Sequence, residues 1–311
     1  MNCYKNQPWS LTFRLLLLCS PYFLLNSSCS PKEKLYVAHD FAFVGEFTQG
    51  LEGPAVDRDG NLFFVNPHHN GSIGKLDSLG NFSIFIENLP EGSTANGIRI
   101  NSKGKLLLAD YTGHKLLEVD RLTKEVLVYA QDSLLNQPND IAICCNDLVF
   151  ASDPNWKEGT GNLWSVEKGA FILLEANMGT TNGIEVSPDA KNLYVNESAQ
   201  RNVWVYDLSE EGTLSNKRKL ISFDDFGLDG MRCDVLGNLY ITRYGKGTVV
   251  KVSPQGKILE EVILKGKKPS NIAFGGTDGR SVFVTLQDRG YIETFRVSHP
   301  GRAFVEQKKP K

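Results

Sequence analysis

The chain carries no excess of positive charge: 34 lysines and arginines stand against 36 aspartates and glutamates in 311 residues, a formal net charge of −2. Nucleic-acid binding draws on a basic surface, so the composition offers no electrostatic basis for such a partner. Apolar residues nowhere keep a spacing of three and four over an ordinary helix length, which argues against a helical fold. No Gly-x-Ser-x-Gly elbow occurs and no serine has an identifiable base, so serine hydrolase chemistry is not indicated. Six cysteines suggest a disulfide framework until they are placed. Cys3, Cys19 and Cys29 lie in the first 29 residues, and Cys144 and Cys145 are neighbours on one predicted strand, pointing to opposite faces. A bond from either to Cys233 stays open, but a core of this size needs no staples and buried free thiols are the expectation.

The first 29 residues read as a targeting segment. Lys5 and Arg14 precede the apolar run from Leu15 to Leu25, which is too short to span a bilayer, and the small polar residues Asn26-Ser27-Ser28 follow. Ser27-Ser28-Cys29 resembles the site of a bacterial lipoprotein signal, with Asn26 where an aliphatic residue is usual. Simple secretion and lipidation at Cys29 remain open. Either way the expectation is export to the periplasm, the outer membrane or the medium, with membrane contact only through a lipid on Cys29. Residues 30–34 read as a linker and 35–311 as the folded domain.

That domain is built on a repeat. Six short motifs recur at intervals of 42 to 47 residues: Leu51-Glu52-Gly53-Pro54, Ala95-Asn96-Gly97-Ile98, Pro138-Asn139-Asp140-Ile141, Thr181-Asn182-Gly183-Ile184, Leu228-Asp229-Gly230-Met231 and Ser270-Asn271-Ile272-Ala273. Each opens an apolar run, and further runs of four to six residues follow, bounded by Gly, Asn and Asp turns. In the second repeat the runs are 96–100, 105–109, 115–119 and 125–129. This period and strand content predict an all-β, six-bladed β-propeller with four-stranded blades. The sixth repeat lacks a fourth strand before the polar tail. The run Leu35 to Val44 is the candidate to supply it, closing the ring from the N-terminal side.

Closure would bring Glu52, Asn96, Asn139, Asn182, Asp229 and Asn271 to one mouth of the channel. Carboxylate and amide oxygens suit calcium, magnesium or manganese, and the absence of His or Cys from these positions speaks against zinc. Asn and Asp before Gly are also common turn formers, and for Asn96 and Asn271 taken singly that is the reading. It does not account for six polar residues in one register. Nor does it account for two of them being acids, whose joint burial without a counter-ion would be costly.

Four pieces, in order and at blade spacing, resemble the senescence-marker-protein/gluconolactonase family of six-bladed propellers. They are Leu51 to Asp57; Pro138 to Ile141 leading to Phe150 to Pro154; Asn182 to Asp189 with Leu193 to Val195; and Leu228 to Met231. The resemblance runs from Gly50 to Gly301. It implies one divalent cation, calcium, with magnesium, manganese or zinc as substitutes, held by Glu52, Asn182 and Asp229. Asn139 would add an oxygen to the metal or face the substrate. The implied reaction is hydrolysis of a sugar lactone, with the cation polarising the carbonyl and activating water, and Asp229 as general base. Trp156, Glu197, Arg243, Tyr244 and His114, on loops of the same face, become candidates to hold sugar hydroxyls. The same ring would serve an organophosphate or another ester, and a non-catalytic binding propeller is the reading from a different class.

Overall fold

Each repeat folds as predicted, into a four-stranded antiparallel sheet, and the six sheets close into a six-bladed β-propeller. The computed structural model describes residues 34–308 apart from 46, 145 and 146, together with residue 1. The expected targeting segment beyond residue 1, with Cys29, and also Cys145, therefore lie outside the described residues, as does most of the expected linker.

Five blades are continuous in sequence, at 52–86, 95–131, 141–178, 181–222 and 231–263. The sixth joins three strands from 269–296 to His39–Phe43, which pairs antiparallel with Tyr291–Arg296. The expected N-terminal closing strand is thus present, though shorter than the run Leu35 to Val44. Its register shifts between Asp40 and Ala42, and Tyr36 adopts a left-handed φ of 60° before it. Closure by a strand from the far end of the chain removes a free sheet edge.

The first strand of every blade faces the axis: Glu52–Val56, Ala95–Ile100, Ile141–Ile143, Thr181–Val186, Met231–Cys233 and Pro269–Gly275. Successive members of this set touch all the way round, the last returning to the first. Between blades the apolar faces interlock, for instance Phe63, Ile73 and Phe85 of blade 1 against Ile98, Leu106 and Leu108 of blade 2. The turns after the inner strands repeat one device. Asp57 Oδ1 accepts from the backbone amides of Asp59 and Asn61, and Gly60 takes φ +84°. Asp234 accepts in the same way from Leu236 and Asn238. A short acidic or amide side chain that mimics a backbone turn explains why Asp and Asn punctuate the sequence.

One element departs from the all-β reading. Arg302–Lys308 forms a helix where the sequence suggested only a polar tail. Seven residues are too few to display a helical period, and burial of Arg302 holds the segment in place. Among the described residues no disulfide forms; Cys233 is buried and its thiol donates to the Val186 carbonyl at 3.4 Å.

Candidate active site in the central channel

The six ring residues stand within two residues of the starts of the inner strands, at the upper mouth. What seats them so closely is the residue that follows. A Cβ on Gly53 would lie 2.1 Å from the Asn96 carbonyl oxygen; on Gly183, 2.4 Å from the Asp229 carbonyl oxygen; on Gly230, 2.0 Å from Asn271 Cγ. In four blades glycine lets the neighbouring blade's ring residue fill the space a side chain would take.

Glu52, Asn139, Asn182 and Asn271 are buried, while Asp229 is partly exposed. Glu52 accepts from its own neighbour's amide, Gly53 N, and from Asn271 Nδ2 at 3.4 Å. Burial first, and then the charge of Asp140, pushes the Glu52 carboxyl up to about 8. Burial and the charge of Glu52 push Asp229 well above the ordinary aspartate range, against donation from the Asn182 side chain. The amide oxygens Asn139 Oδ1 and Asn182 Oδ1 are buried with no hydrogen-bond partner. Two acids that repel each other and two orphaned carboxamide oxygens form a donor set short of a positive charge. Its chemistry fits a hard divalent cation. Asn96 is only half-buried and donates to the Asn139 carbonyl at 3.3 Å, whereas Asn271 does more than shape a turn, since its amide bridges two carboxylates.

Beneath this set lies a group that the sequence reading passed over. Asp140 is fully buried and accepts from Arg99 Nη1 at 2.9 Å, Arg232 Nη1 at 3.1 Å and Asn271 Nδ2 at 3.3 Å. Despite its burial the two guanidiniums hold its carboxyl below the usual range. Arg99 in turn is lowered to about 10 by burial and by the charge of Arg232. A signal for them existed: Arg99, Glu185 and Arg232 each stand three residues after a ring position, as charges inside otherwise apolar inner strands.

The upper loops place the other candidates unevenly. Tyr244 donates to Gln287 Oε1 at 3.1 Å and is raised by burial and then by the charge of Asp229, so it stands within that carboxylate's field. Trp156 is 46% exposed on its loop. His114 is exposed, with φ 52°. Glu197 is buried with both oxygens engaged, by Gly179 N at 2.8 Å and Asn202 Nδ2 at 3.0 Å. Arg243 is buried too, stacked 4.0 Å from the Phe223 ring centroid and bonded to the carbonyl and carboxylate of Asp225. It braces the loop that leads into Asp229. Asn196, unremarked in the sequence, donates to the Asp229 carbonyl at 2.6 Å.

A sequence profile of the SMP-30/Gluconolactonase/LRE-like region matches residues 50–288. A gluconolactonase of Zymomonas mobilis is 29% identical over 276 residues, covering 76% of each chain. The pentonolactonase XacC of Haloferax volcanii is 27% identical over 201 residues, 63% of this chain and 68% of its own. Among solved structures, a calcium-binding regucalcin of Agrobacterium tumefaciens superposes with a TM-score of 0.72 at 21% identity, over 85% of this chain and 98% of that one. At that identity the likeness speaks for the fold.

Proposed function

Because the chain belongs to the SMP-30/gluconolactonase/LRE-like family, we propose that it is a metal-dependent lactonase that opens a sugar lactone. The observation that carries this reading is the upper ring itself. Glu52 and Asp229 are acids raised above the ordinary carboxylate range with no ion-pair partner among the described residues, beside the orphaned oxygens of Asn139 and Asn182. Glu52, Asn182 and Asp229 would hold the cation, with Asn139 adding an oxygen or facing the substrate. A divalent ion there supplies Lewis acidity, which favours the negative charge that develops on a carbonyl oxygen under attack.

This chain's residues account for the remaining tasks. Asp229, partly exposed and with its carboxyl raised by burial and by Glu52, would serve as the general base. It takes a proton from water as the oxygen attacks the lactone carbonyl, and that proton passes to the ring oxygen as the acyl C–O bond breaks. Glu52 is fixed by Asn271 and the Gly53 amide and acts as ligand. Tyr244 and Trp156, on loops of the same face, are the candidates to meet a polyol. Lactonase names among the relatives support this substrate class.

The test is hydrolysis of D-glucono-1,5-lactone and pentonolactones, followed by acid release, with calcium, magnesium, manganese or chelator. Turnover should require the metal. Asp229→Asn should lower kcat by at least a hundredfold, and Glu52→Gln should abolish both activity and metal binding. Metal binding without turnover on any lactone or ester would instead favour a binding propeller.

A further inference from the structure

Phe226, three residues before Asp229, holds a backbone conformation that its side chain disfavours. Its φ is 46°, and left-handed backbone in a bulky residue is an outlier that persists only where the surroundings impose it. Here they do. The Arg243 guanidinium donates to the carbonyl and the carboxylate of Asp225. Gly227 N donates to the Tyr244 carbonyl at 3.2 Å, Leu228 N to the Ser198 carbonyl at 3.4 Å and Asp229 N to the Thr242 carbonyl at 3.1 Å. The segment is thus pinned on both sides of Phe226, between the upper loops of blades 4 and 5.

The fold gains little from the side chain held this way. Leu228 is fully buried, and Phe223 packs on the core between blades 4 and 5. Phe226 joins no apolar cluster among the described residues and is 48% exposed. Tyr36 makes the contrast. It shares the left-handed backbone, with φ 60°, but its ring packs on the core around blade 6 and its hydroxyl meets Ser298 and Lys251. At position 226 the backbone suits glycine, and a ring stands there instead. Room is made for it by Gly245, where φ is +88° and a Cβ would stand 3.1 Å from Phe226 Cδ1. Gly245 follows Tyr244, whose side chain lies within the field of Asp229. The exposed ring therefore rests on the turn that also carries Tyr244 to the site.

We propose that Phe226 is a substrate-contacting, specificity-determining residue of the upper site, where its ring meets the C–H face of a sugar lactone. This rests on the lactonase reading. A sugar lactone has hydroxyls around its edge and C–H bonds on its faces, and an aromatic ring gives those faces a large, rigid apolar surface. The ring meets the body of the substrate and not the ester that reacts. Its contribution is therefore to binding, shared by ground state and transition state, and it appears in KM.

Hydrolysis of D-glucono-1,5-lactone by the parent, Phe226→Gly and Phe226→Tyr tests this, with calcium present and melting temperatures measured in parallel. Phe226→Gly should raise KM roughly fivefold or more, with kcat within about threefold of the parent. Its melting temperature should stay within about 3 °C, because relief of the left-handed backbone offsets the freedom that glycine adds to the unfolded chain. Calcium affinity should be unchanged, and Phe226→Tyr, which keeps the ring, should keep the parent's KM. An active parent whose KM is unchanged in Phe226→Gly overturns the proposal. So does a fall in melting temperature of more than about 3 °C, since the ring would then serve the fold. A KM rise accompanied by weaker calcium binding overturns it as well, because the change would have reached Asp229. A parent that turns over no lactone fails the lactonase reading, and the proposal falls with it.

Discussion

Glu52 and Asp140, buried carboxylates of blades 1 and 3, share a single amide group. Asn271 Nδ2 lies 3.4 Å from Glu52 Oε1 and 3.3 Å from Asp140 Oδ2. Asn271 Oδ1 is itself fixed by the Ile272 amide at 2.9 Å, so the donor cannot swing away. A residue of blade 6 thus spaces two like charges that would otherwise repel directly. Asn271→Ala should therefore be worse than a turn asparagine would suggest. Loss of a hydrogen bond to a charged group costs about 1.5–3 kcal/mol, equivalent to roughly a tenfold or greater fall in metal affinity. Calorimetric calcium titration measures it, and an unchanged affinity would remove Asn271 from the site.

The raised acids make a pH prediction for protein stripped of metal by chelator. Burial, then Asp140, lifts Glu52 from 4.5 to about 8. A carboxyl that binds its proton more tightly when folded stabilises the fold fully below its unfolded value, and that contribution disappears as pH rises through the folded value. Metal-free protein should accordingly lose stability between pH 4.5 and 8, by on the order of 5 kcal/mol. Glu52→Gln, which cannot ionise, should lose markedly less over the same window. Melting temperatures with chelator present decide this: equal slopes for parent and variant would contradict it. Metal affinity should rise over the same range, since the ligands must be deprotonated.

Gly230 is a packing requirement of the ring. A Cβ there would stand 2.0 Å from Asn271 Cγ, so Gly230→Ala must displace Asn271 or part blades 5 and 6. Overpacking of this kind costs about 1–3 kcal/mol. Denaturant unfolding should show that loss together with weaker metal binding. A variant as stable as the parent would mean that the ring has slack the geometry does not suggest.

Asp140 answers a different question, because it pairs with both Arg99 and Arg232. Asp140→Ala leaves two buried guanidiniums facing each other, and removing one partner from a buried ionic group costs about 3–5 kcal/mol. Replacing all three, Asp140→Leu with Arg99→Met and Arg232→Met, should recover most of that stability, because no uncompensated charge then remains. If the triple variant unfolds as readily as the single one, the charges hold the shaft together in a way that apolar packing cannot replace.

Much of this was legible along the chain. The interval between motifs, the strand runs and the missing fourth strand of the last repeat implied six closed blades, because each strand's pattern is a local matter of alternation and turn chemistry. Glu52, Asn139, Asn182 and Asp229 stood out because each occupies the same position in its own repeat. Glu197 and Arg243 stood out for a weaker reason, as charges in upper loops. Their burial and partners were not visible, since Gly179, Asn202 and Asp225 approach them only when the loops pack. The helix Arg302–Lys308 escaped notice because its length is below any period, and its anchor, Glu185, is 117 residues away.

From its order of residues alone, the chain determined the number of blades, the strand-by-strand architecture and which oxygens share one mouth. Those follow from short-range backbone preferences repeated six times. Only the tertiary structure decided how charge is balanced along the axis. It placed Asp140 between two arginines and gave Glu52 and Asp229 no ion-pair partner among the described residues. Such balances depend on groups that meet across the ring from blades 41 to 131 residues apart, and no local pattern in a sequence records which of them will touch.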